Sequence, residues 1–241
     1  MSSLKRKTML SKLTADGLKK RLRWSCPLKG HSHHDGISHN RCYDQLVGVD
    51  LAEKVAYLDI ETEDLKADYG VMFCWCLWDG NANKLYKDVI NINDINKYKS
   101  HNRNTPPKDD TRIIKSLVDL LVKYDRVYAH YGSRFDLPFL RTRALICGIK
   151  FPPYGSLSQT DTWIISKNKL KLSRNTQQNL CLKILGHTRK DHLSHSIKHG
   201  CLRGETWALN LSLIHCEKDV YDLRDVSKVI DPFIRKTKTS I

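Results

Sequence analysis

Two carboxylates separated by one residue, Asp59 and Glu61, end the apolar stretch VAYLDIET. In an extended strand, residues i and i+2 point to the same face, so both side chains would project from one side of a half-buried strand. Two like charges there repel each other, and a divalent cation with oxygen ligands relieves that repulsion. The spacing therefore indicates a metal site, although acids that cap an exposed strand end would give the same pattern.

Further acidic positions follow in two later motifs. Asp136 stands in HYGSRFDLPFL after a predicted strand, where open α/β sheets bind ligands, but a lone Asp before a helix is also typical of an N-cap. His215 and Asp219, in HCEKDV, lie four residues apart on a predicted helix, so imidazole and carboxylate share a face. A structural His–Asp pair on a surface helix has the same spacing, and Glu217 and Asp222 are less well aligned alternatives.

The elements that must position these residues are strands first and helices later. Apolar and β-branched runs predict strands at 55–60, 71–78, 85–90 and 126–130. Apolar residues at helical spacing predict helices at 111–124, from Asp136 to about Cys147, within 155–171, at 176–186 and at 211–233. The order predicts a βββαβ start. The basic stretch between Gly186 and Gly204 is expected to be a loop, either a solvated connection or a segment that faces the substrate.

The charge balance favours a polyanionic partner. The 241 residues include 41 Lys and Arg against 26 Asp and Glu, a formal net charge of +15, and such a field attracts nucleic acid. Charge alone does not distinguish DNA from RNA. No apolar run approaches the roughly 20 residues of a membrane span, and residues 1–24 lack the apolar core of a secretory signal. We therefore expect an intracellular, cytoplasmic protein.

The N-terminal region divides into a basic arm, 1–24, and a Cys/His-rich segment, 25–48. The arm has helical spacing of apolar residues among lysines and arginines; it would track phosphate, form a helix-turn-helix or remain a solvated basic helix. Zinc takes four Cys or His ligands tetrahedrally and can order a small loop. We expect one structural Zn²⁺ on Cys26, His31, His39 and Cys42, with His33 and His34 as alternatives, or else a flexible His-rich linker.

Taken together, LDIET, HYGSRFDLPFL and HCEKDV resemble, in this order, the three motifs of the DEDD 3′–5′ exonucleases of the ribonuclease H-like superfamily. The resemblance is closest to predicted exonucleases of phages and archaea that look related to the exonuclease domain of family B DNA polymerases. It implies an α/β ribonuclease H-like fold over 53–235, a mixed five-stranded sheet flanked by helices. It also implies hydrolysis of phosphodiester bonds from a 3′ end, with DNA favoured over RNA.

The resemblance further assigns roles to the acidic residues. Asp59 and Glu61 match the first motif, Asp136 the second and Asp219 the third, so these four would hold two Mg²⁺ or Mn²⁺ ions. His215 gives His-x3-Asp, whereas the known subclasses have His-x4-Asp or Tyr-x3-Asp. His215 thus occupies the tyrosine's place, and we interpret it as the residue that orients the attacking water or acts as general base. Asp161, in QTDTW, would either bind near the metals or cap its helix.

The chemistry agrees with this assignment. Phosphodiester hydrolysis needs an activated water and relief of negative charge, which two cations supply, and carboxylates select Mg²⁺ or Mn²⁺ over zinc. Arg134, Arg141 and Arg143 are expected to contact the phosphate backbone. Two other functions fit the same residues: a structure-specific endonuclease of the same fold, and a non-catalytic nucleic-acid-binding module.

Overall fold

The structure, a computed structural model, describes residues 19, 21–27, 35–38, 42–43, 46–47, 53–94 and 110–233. Its contacts divide the chain into two compact units, 1–53 and 54–241. In the described part of the first unit, Arg21 donates to the Gly36 carbonyl at 3.1 Å and its guanidinium lies 4.2 Å from the Tyr43 ring centroid.

The predicted zinc ligands are only partly covered. Cys26 and Cys42 are half-buried, whereas His31 and His39 lie outside the described residues, as do the alternatives His33 and His34. Most of the predicted basic arm also lies outside them. The zinc site therefore stays a prediction.

The second unit is built on a mixed five-stranded sheet. The strands are β1 (Val55–Thr62), β2 (Met72–Asp79), β3 (Lys84–Val89), β4 (Arg126–Ala129) and β5 (Ser158–Asp161). Their order is β3-β2-β1-β4-β5, with antiparallel pairing among the first three and parallel pairing of β1 with β4 and β4 with β5. The fold class expected from the sequence is confirmed. Strand β5, of sequence SQTD, was not predicted as a strand.

Within the described residues, six helices of eight residues or more flank the sheet or follow it. They are α1 (Thr111–Leu121), α2 (Asp136–Ile146), α3 (Thr162–Lys169), α4 (Gln177–Ile184), α5 (His195–Arg203) and α6 (Thr206–Ile230), which continues into a 3₁₀ turn (Asp231–Phe233). Helix α5 lies in the stretch predicted to be a loop, so that prediction is wrong for 195–203. Ser194 caps its first turn by accepting from the Ile197 backbone, and Gly204 ends it at φ +76°.

The side chains of β1 alternate between two faces of the sheet, and each face packs against different helices. Ala56, Leu58 and Ile60 are buried with the apolar faces of α1 and α2, and burial of each such leucine or isoleucine contributes about 1.5–3 kcal/mol. The odd-numbered residues face α6, where the Cys216 thiol lies 3.3 Å from the Asp59 carbonyl oxygen. The acids of β1 are thus held between the sheet and helix α6. Among the described residues, no helix is long and apolar enough to cross a membrane.

Candidate active site

Strand β1 delivers the first two acids. Asp59 and Glu61 lie opposite Cys76 and Cys74 of β2 in the antiparallel register, on the face that α6 covers. Because the side chains of a strand alternate, both carboxylates project toward the same helix. Both side chains are only partly exposed, so they are drawn out of bulk water.

The turn after β4 delivers Asp136. Tyr131 has a left-handed backbone (φ +64°). A Cβ on the next residue, Gly132, would lie 2.2 Å from the Ala129 Cβ, so only glycine fits at position 132. The Leu137 backbone N–H then donates to the Gly132 carbonyl at 3.0 Å as α2 begins. Asp136, the first residue of α2, is buried at the carboxyl end of the parallel strands.

Asp161 fixes this turn and does not join the acidic cluster. Its Oδ1 accepts from the Tyr131 backbone at 3.0 Å and from the Trp163 backbone at 2.9 Å, while its Oδ2 accepts from the Ser133 backbone at 3.0 Å. Both carboxylate oxygens are therefore engaged, one of them at the N-cap of α3. Of the two roles left open by the sequence, capping is the one that the structure has.

Helix α6 brings the histidine and the fourth acid to the same place. His215 Nε2 lies 3.6 Å from both Asp219 Oδ2 and Glu61 Oε1. One ligand atom from each of these three residues lies within 4.8 Å of the others. The i, i+4 spacing thus puts imidazole and carboxylate on one buried face, as predicted, and β1 supplies their neighbour. Of the less well aligned alternatives, Asp222 and Glu217 pair elsewhere, with Arg189 and Lys87 respectively.

The loop between α4 and α5 adds two residues that sequence reasoning missed. Lys190 Nζ pairs with Asp219 Oδ2, and Asp191 Oδ1 lies 2.6 Å from His215 Nδ1. The buried carboxylate of Asp222 holds this loop, accepting from the Thr188 hydroxyl at 2.6 Å and the Arg189 backbone at 2.8 Å. The one signal in the sequence was the density of charge in TRKDH, which does not reveal where the loop docks.

Burial and mutual repulsion raise the pKa values of the carboxyl groups in this site. Burial raises the pKa of Asp59 well above its usual range, and the nearby Asp219, Asp136 and Glu61 raise it further. Burial, followed by the charge of Asp219, raises the pKa of Glu61 to about 7 while Lys190 opposes the shift. Burial likewise raises the pKa of Asp136 to about 7, although backbone hydrogen bonds partly offset it. Ionising all of these carboxyl groups therefore requires added positive charge.

The site fits divalent cations. Asp59 Oδ2 and Asp219 Oδ1 are buried, and neither has a hydrogen-bond partner within the described part of the chain. A buried carboxylate oxygen without a donor is unfavourable, and a hard cation satisfies it. One ligand atom each of Glu61, His215 and Asp219 faces the same small space, so a cation held by the two carboxylates would lie beside the His215 ring.

Of the three arginines predicted to contact phosphate, one has a different role. The prediction for Arg143 is wrong, because its side chain is 0% exposed and donates to both oxygens of buried Asp110, at 2.9 and 2.6 Å. Arg134 is exposed, with its guanidinium 5.3 Å from the Trp163 ring centroid, and Arg141 is half-buried over Phe151. For these two, contact with nucleic acid stays a prediction.

Comparison with known protein families identifies the class. A family model described as the RNase H superfamily matches residues 56–185, more than half of the chain. The matched region contains Asp59, Glu61 and Asp136, and the sheet and helices that carry them. The chain belongs to the RNase H superfamily.

Two archaeal polymerases are similar to parts of this chain. It is 35% identical over 72 residues to the DNA polymerase of Methanocaldococcus jannaschii, a match that covers 30% of this chain and 4% of the polymerase. Its fold is similar to that of the family B DNA polymerase from Pyrobaculum calidifontis, with a TM-score of 0.58 and 14% identity over 76% of this chain and 25% of the polymerase chain. The chain thus spans only a small part of the length of these proteins.

Proposed function

We propose that this chain is a metal-dependent nuclease that removes nucleotides from the 3′ end of nucleic acid, with DNA favoured. The observation that carries the proposal is the meeting of four carboxylates and one histidine in a single buried site, on a fold of the RNase H superfamily. The sequence and fold similarity to DNA polymerases supports DNA as the substrate. The 3′–5′ direction rests on the resemblance of the three motifs to the DEDD exonucleases.

The proposed cofactors are two divalent cations, Mg²⁺ or Mn²⁺. Asp59, Glu61, Asp136 and Asp219 would hold them, since carboxylate oxygens suit these hard ions. When bound, such cations lower the pKa of water and stabilise the negative charge that develops on the phosphate. The raised pKa values of Glu61 and Asp136, caused first by burial, agree with a site that needs cations to ionise fully.

His215 is the proposed proton acceptor. Its Nε2 faces the carboxylates of Glu61 and Asp219, so a water held there would lie within reach of the ring. In the proposed reaction the imidazole takes a proton from the attacking water, whose oxygen bonds to phosphorus as the bond to the leaving 3′ oxygen breaks. The leaving oxygen takes a proton from solvent. When no cation is bound, Lys190, which pairs with Asp219, supplies positive charge to the site.

An aromatic and basic surface beside the site is the proposed path for the strand. Exposed Tyr131 packs edge-on against Trp163, with ring centroids 5.1 Å apart, and Lys167 lies 4.9 Å from the same tryptophan. Neither Arg134 nor Lys167 pairs with a carboxylate among the residues that the structure describes. Cations next to aromatic faces suit phosphates and unstacked bases. The surface begins at the turn that leads to Asp136, next to the proposed cations.

We also propose one structural Zn²⁺ bound by the Cys/His-rich segment, separate from the catalytic cations. The support is the crowding of Cys26, His31, His39 and Cys42 within seventeen residues. Such an ion would order the segment and help it to contact substrate.

End-labelled substrates test the proposed activity and its direction. Single- and double-stranded DNA and RNA carrying a 5′ label are digested with Mg²⁺ or Mn²⁺, and products are resolved at single-nucleotide length. A ladder that shortens stepwise from the 3′ end supports the proposal. Internal cuts from the outset would instead identify a structure-specific endonuclease, and binding without cleavage would identify a non-catalytic nucleic-acid-binding module.

A further inference from the structure

We propose that Asp191 is a positioning residue for His215, an inference that rests on the proposed function. Asp191 Oδ1 lies 2.6 Å from His215 Nδ1, the ring nitrogen that faces away from Glu61 and Asp219. The other oxygen, Oδ2, pairs with Lys218 on the next turn of α6. The Asp191 carboxylate thus contacts the ring at Nδ1, and its ion pair with Lys218 fixes the position of the carboxylate.

This contact determines which nitrogen of the His215 ring carries the proton. A carboxylate only accepts hydrogen bonds, so Nδ1 must carry the proton at 2.6 Å. In the neutral imidazole the lone pair then lies on Nε2, which is the nitrogen 3.6 Å from Glu61 Oε1 and Asp219 Oδ2. The ring is therefore oriented with its basic nitrogen toward the place where the attacking water would be deprotonated.

The loop that carries Asp191 is anchored independently of His215. Asp222, fully buried on α6, accepts from the hydroxyl of Thr188 and from the backbone and guanidinium of Arg189. Arg189 also pairs with Asp225 at 3.0 Å. These contacts fix the loop two residues before Asp191, so its carboxylate reaches the ring from a supported position.

Loss of this acceptor should lower turnover and leave substrate binding nearly unchanged. Without it, the ring can rotate and carry its proton on either nitrogen, so a smaller fraction of molecules presents a basic Nε2. Hydrogen-bond partners that orient a metal-bound histidine are worth about 10- to 100-fold in activity, and we expect a similar effect for a histidine that orients water. We expect Asp191→Ala to lower kcat by about that factor while KM changes by less than about twofold. Asp191→Asn keeps an acceptor oxygen and should recover most of kcat.

Two control variants separate positioning from general effects. Asp119→Ala removes a carboxylate of similar exposure, 60% against 53%, that pairs with Lys115 on the distant helix α1, and should leave kcat unchanged. Lys218→Met removes the other partner of Asp191 and leaves the ring contact in place, so it should cost far less than Asp191→Ala. If Lys218→Met matches the loss, the effect does not depend on the contact between Asp191 and the ring, and the inference is overturned.

Nitrogen-15 NMR of the His215 ring tests the same inference without using activity. In cation-free wild-type protein at alkaline pH, we expect the pattern of a ring protonated on Nδ1, and in Asp191→Ala a shift toward protonation on Nε2. An unchanged ring pattern in Asp191→Ala, or a kcat within about twofold of wild type, would overturn the role of Asp191. Wild-type protein that hydrolyses nothing but shows the Nδ1 pattern would contradict the proposed function and leave the contact itself supported.

Discussion

The ammonium of Lys190 pairs with the carboxylate of Asp219 where the acids of β1 and α6 meet. Burial of the Lys190 ammonium lowers its pKa, but the charges of Asp219, Asp59 and Glu61 outweigh that effect and the net shift is upward. A lysine therefore serves as counter-ion in a site that would bind divalent cations.

Replacing Lys190 by methionine should destabilise the cation-free protein, because the carboxylates lose their nearest positive charge. The side chain is 33% exposed, so the expected loss in the free energy of unfolding is modest, about 1–2 kcal/mol. Urea unfolding in EDTA measures the loss. Excess Mg²⁺ should remove most of the difference from wild type; equal stability of the two proteins in EDTA would contradict the role of Lys190 as counter-ion.

The raised pKa of Glu61 predicts a pH-dependent stability for the cation-free protein. A carboxyl group whose pKa is higher in the folded state contributes stability that is present below its unfolded pKa, about 4.3, and lost as pH rises through the folded value. Burial, followed by the charge of Asp219, raises the folded pKa of Glu61 to about 7. In EDTA, Tm should therefore fall between about pH 5 and 7, and less steeply in Glu61→Gln.

The difference between the Tm curves of wild type and Glu61→Gln removes the contribution of other titrating groups. Parallel Tm curves for wild type and Glu61→Gln in EDTA would contradict a raised pKa at this position. Mg²⁺ should flatten the wild-type curve over the same range, since a bound cation favours the ionised carboxylates.

Two arginines offer a matched test of stability against substrate binding. Arg143→Met leaves the buried carboxylate of Asp110 without its counter-charge and should cost about 3–5 kcal/mol in the free energy of unfolding. Arg134→Met makes the same chemical change at an exposed site and should leave the free energy of unfolding within about 0.5 kcal/mol of wild type. It should weaken DNA binding and lower the salt dependence of that binding by about one phosphate contact. Urea unfolding and fluorescence anisotropy at several salt concentrations measure these effects. DNA affinity unchanged in Arg134→Met would remove Arg134 from the proposed interface.

The proposed zinc ion predicts a fixed metal content. Elemental analysis of protein purified without chelator should find about one zinc per chain, and Cys42→Ser should lower that number and weaken substrate binding. A zinc content near zero in the wild-type protein would reduce residues 25–48 to a His-rich linker.

The sequence predicted those parts of the site that follow from local periodicity. The acids of β1 share a face because a strand alternates, and His215 and Asp219 share one because a helix repeats every 3.6 residues. Strand β5 was missed because its four residues, SQTD, have little strand propensity and become a strand by pairing with β4.

Long-range contacts account for the remaining differences. Lys190 and Asp191 enter the site because Asp222, more than thirty residues later in the chain, holds their loop. Arg143 was assigned to the surface because its charge is visible in the sequence, whereas its partner Asp110 lies 33 residues earlier and meets it only in the folded core. Neither pairing has a local sequence signal.

The most direct test of the central claim is hydrolysis of 5′-labelled single-stranded DNA by wild-type protein and Asp59→Asn, each with Mg²⁺ or Mn²⁺ and with EDTA. Asp59→Asn keeps the shape of the side chain and removes its charge, so it should fold at least as stably as wild type without cations. We predict stepwise shortening from the 3′ end by the wild-type protein with cations, none in EDTA, and a loss of roughly 10³-fold or more in Asp59→Asn. Hydrolysis that persists in EDTA or in Asp59→Asn, or its absence from wild type with both cations, would contradict the proposed function.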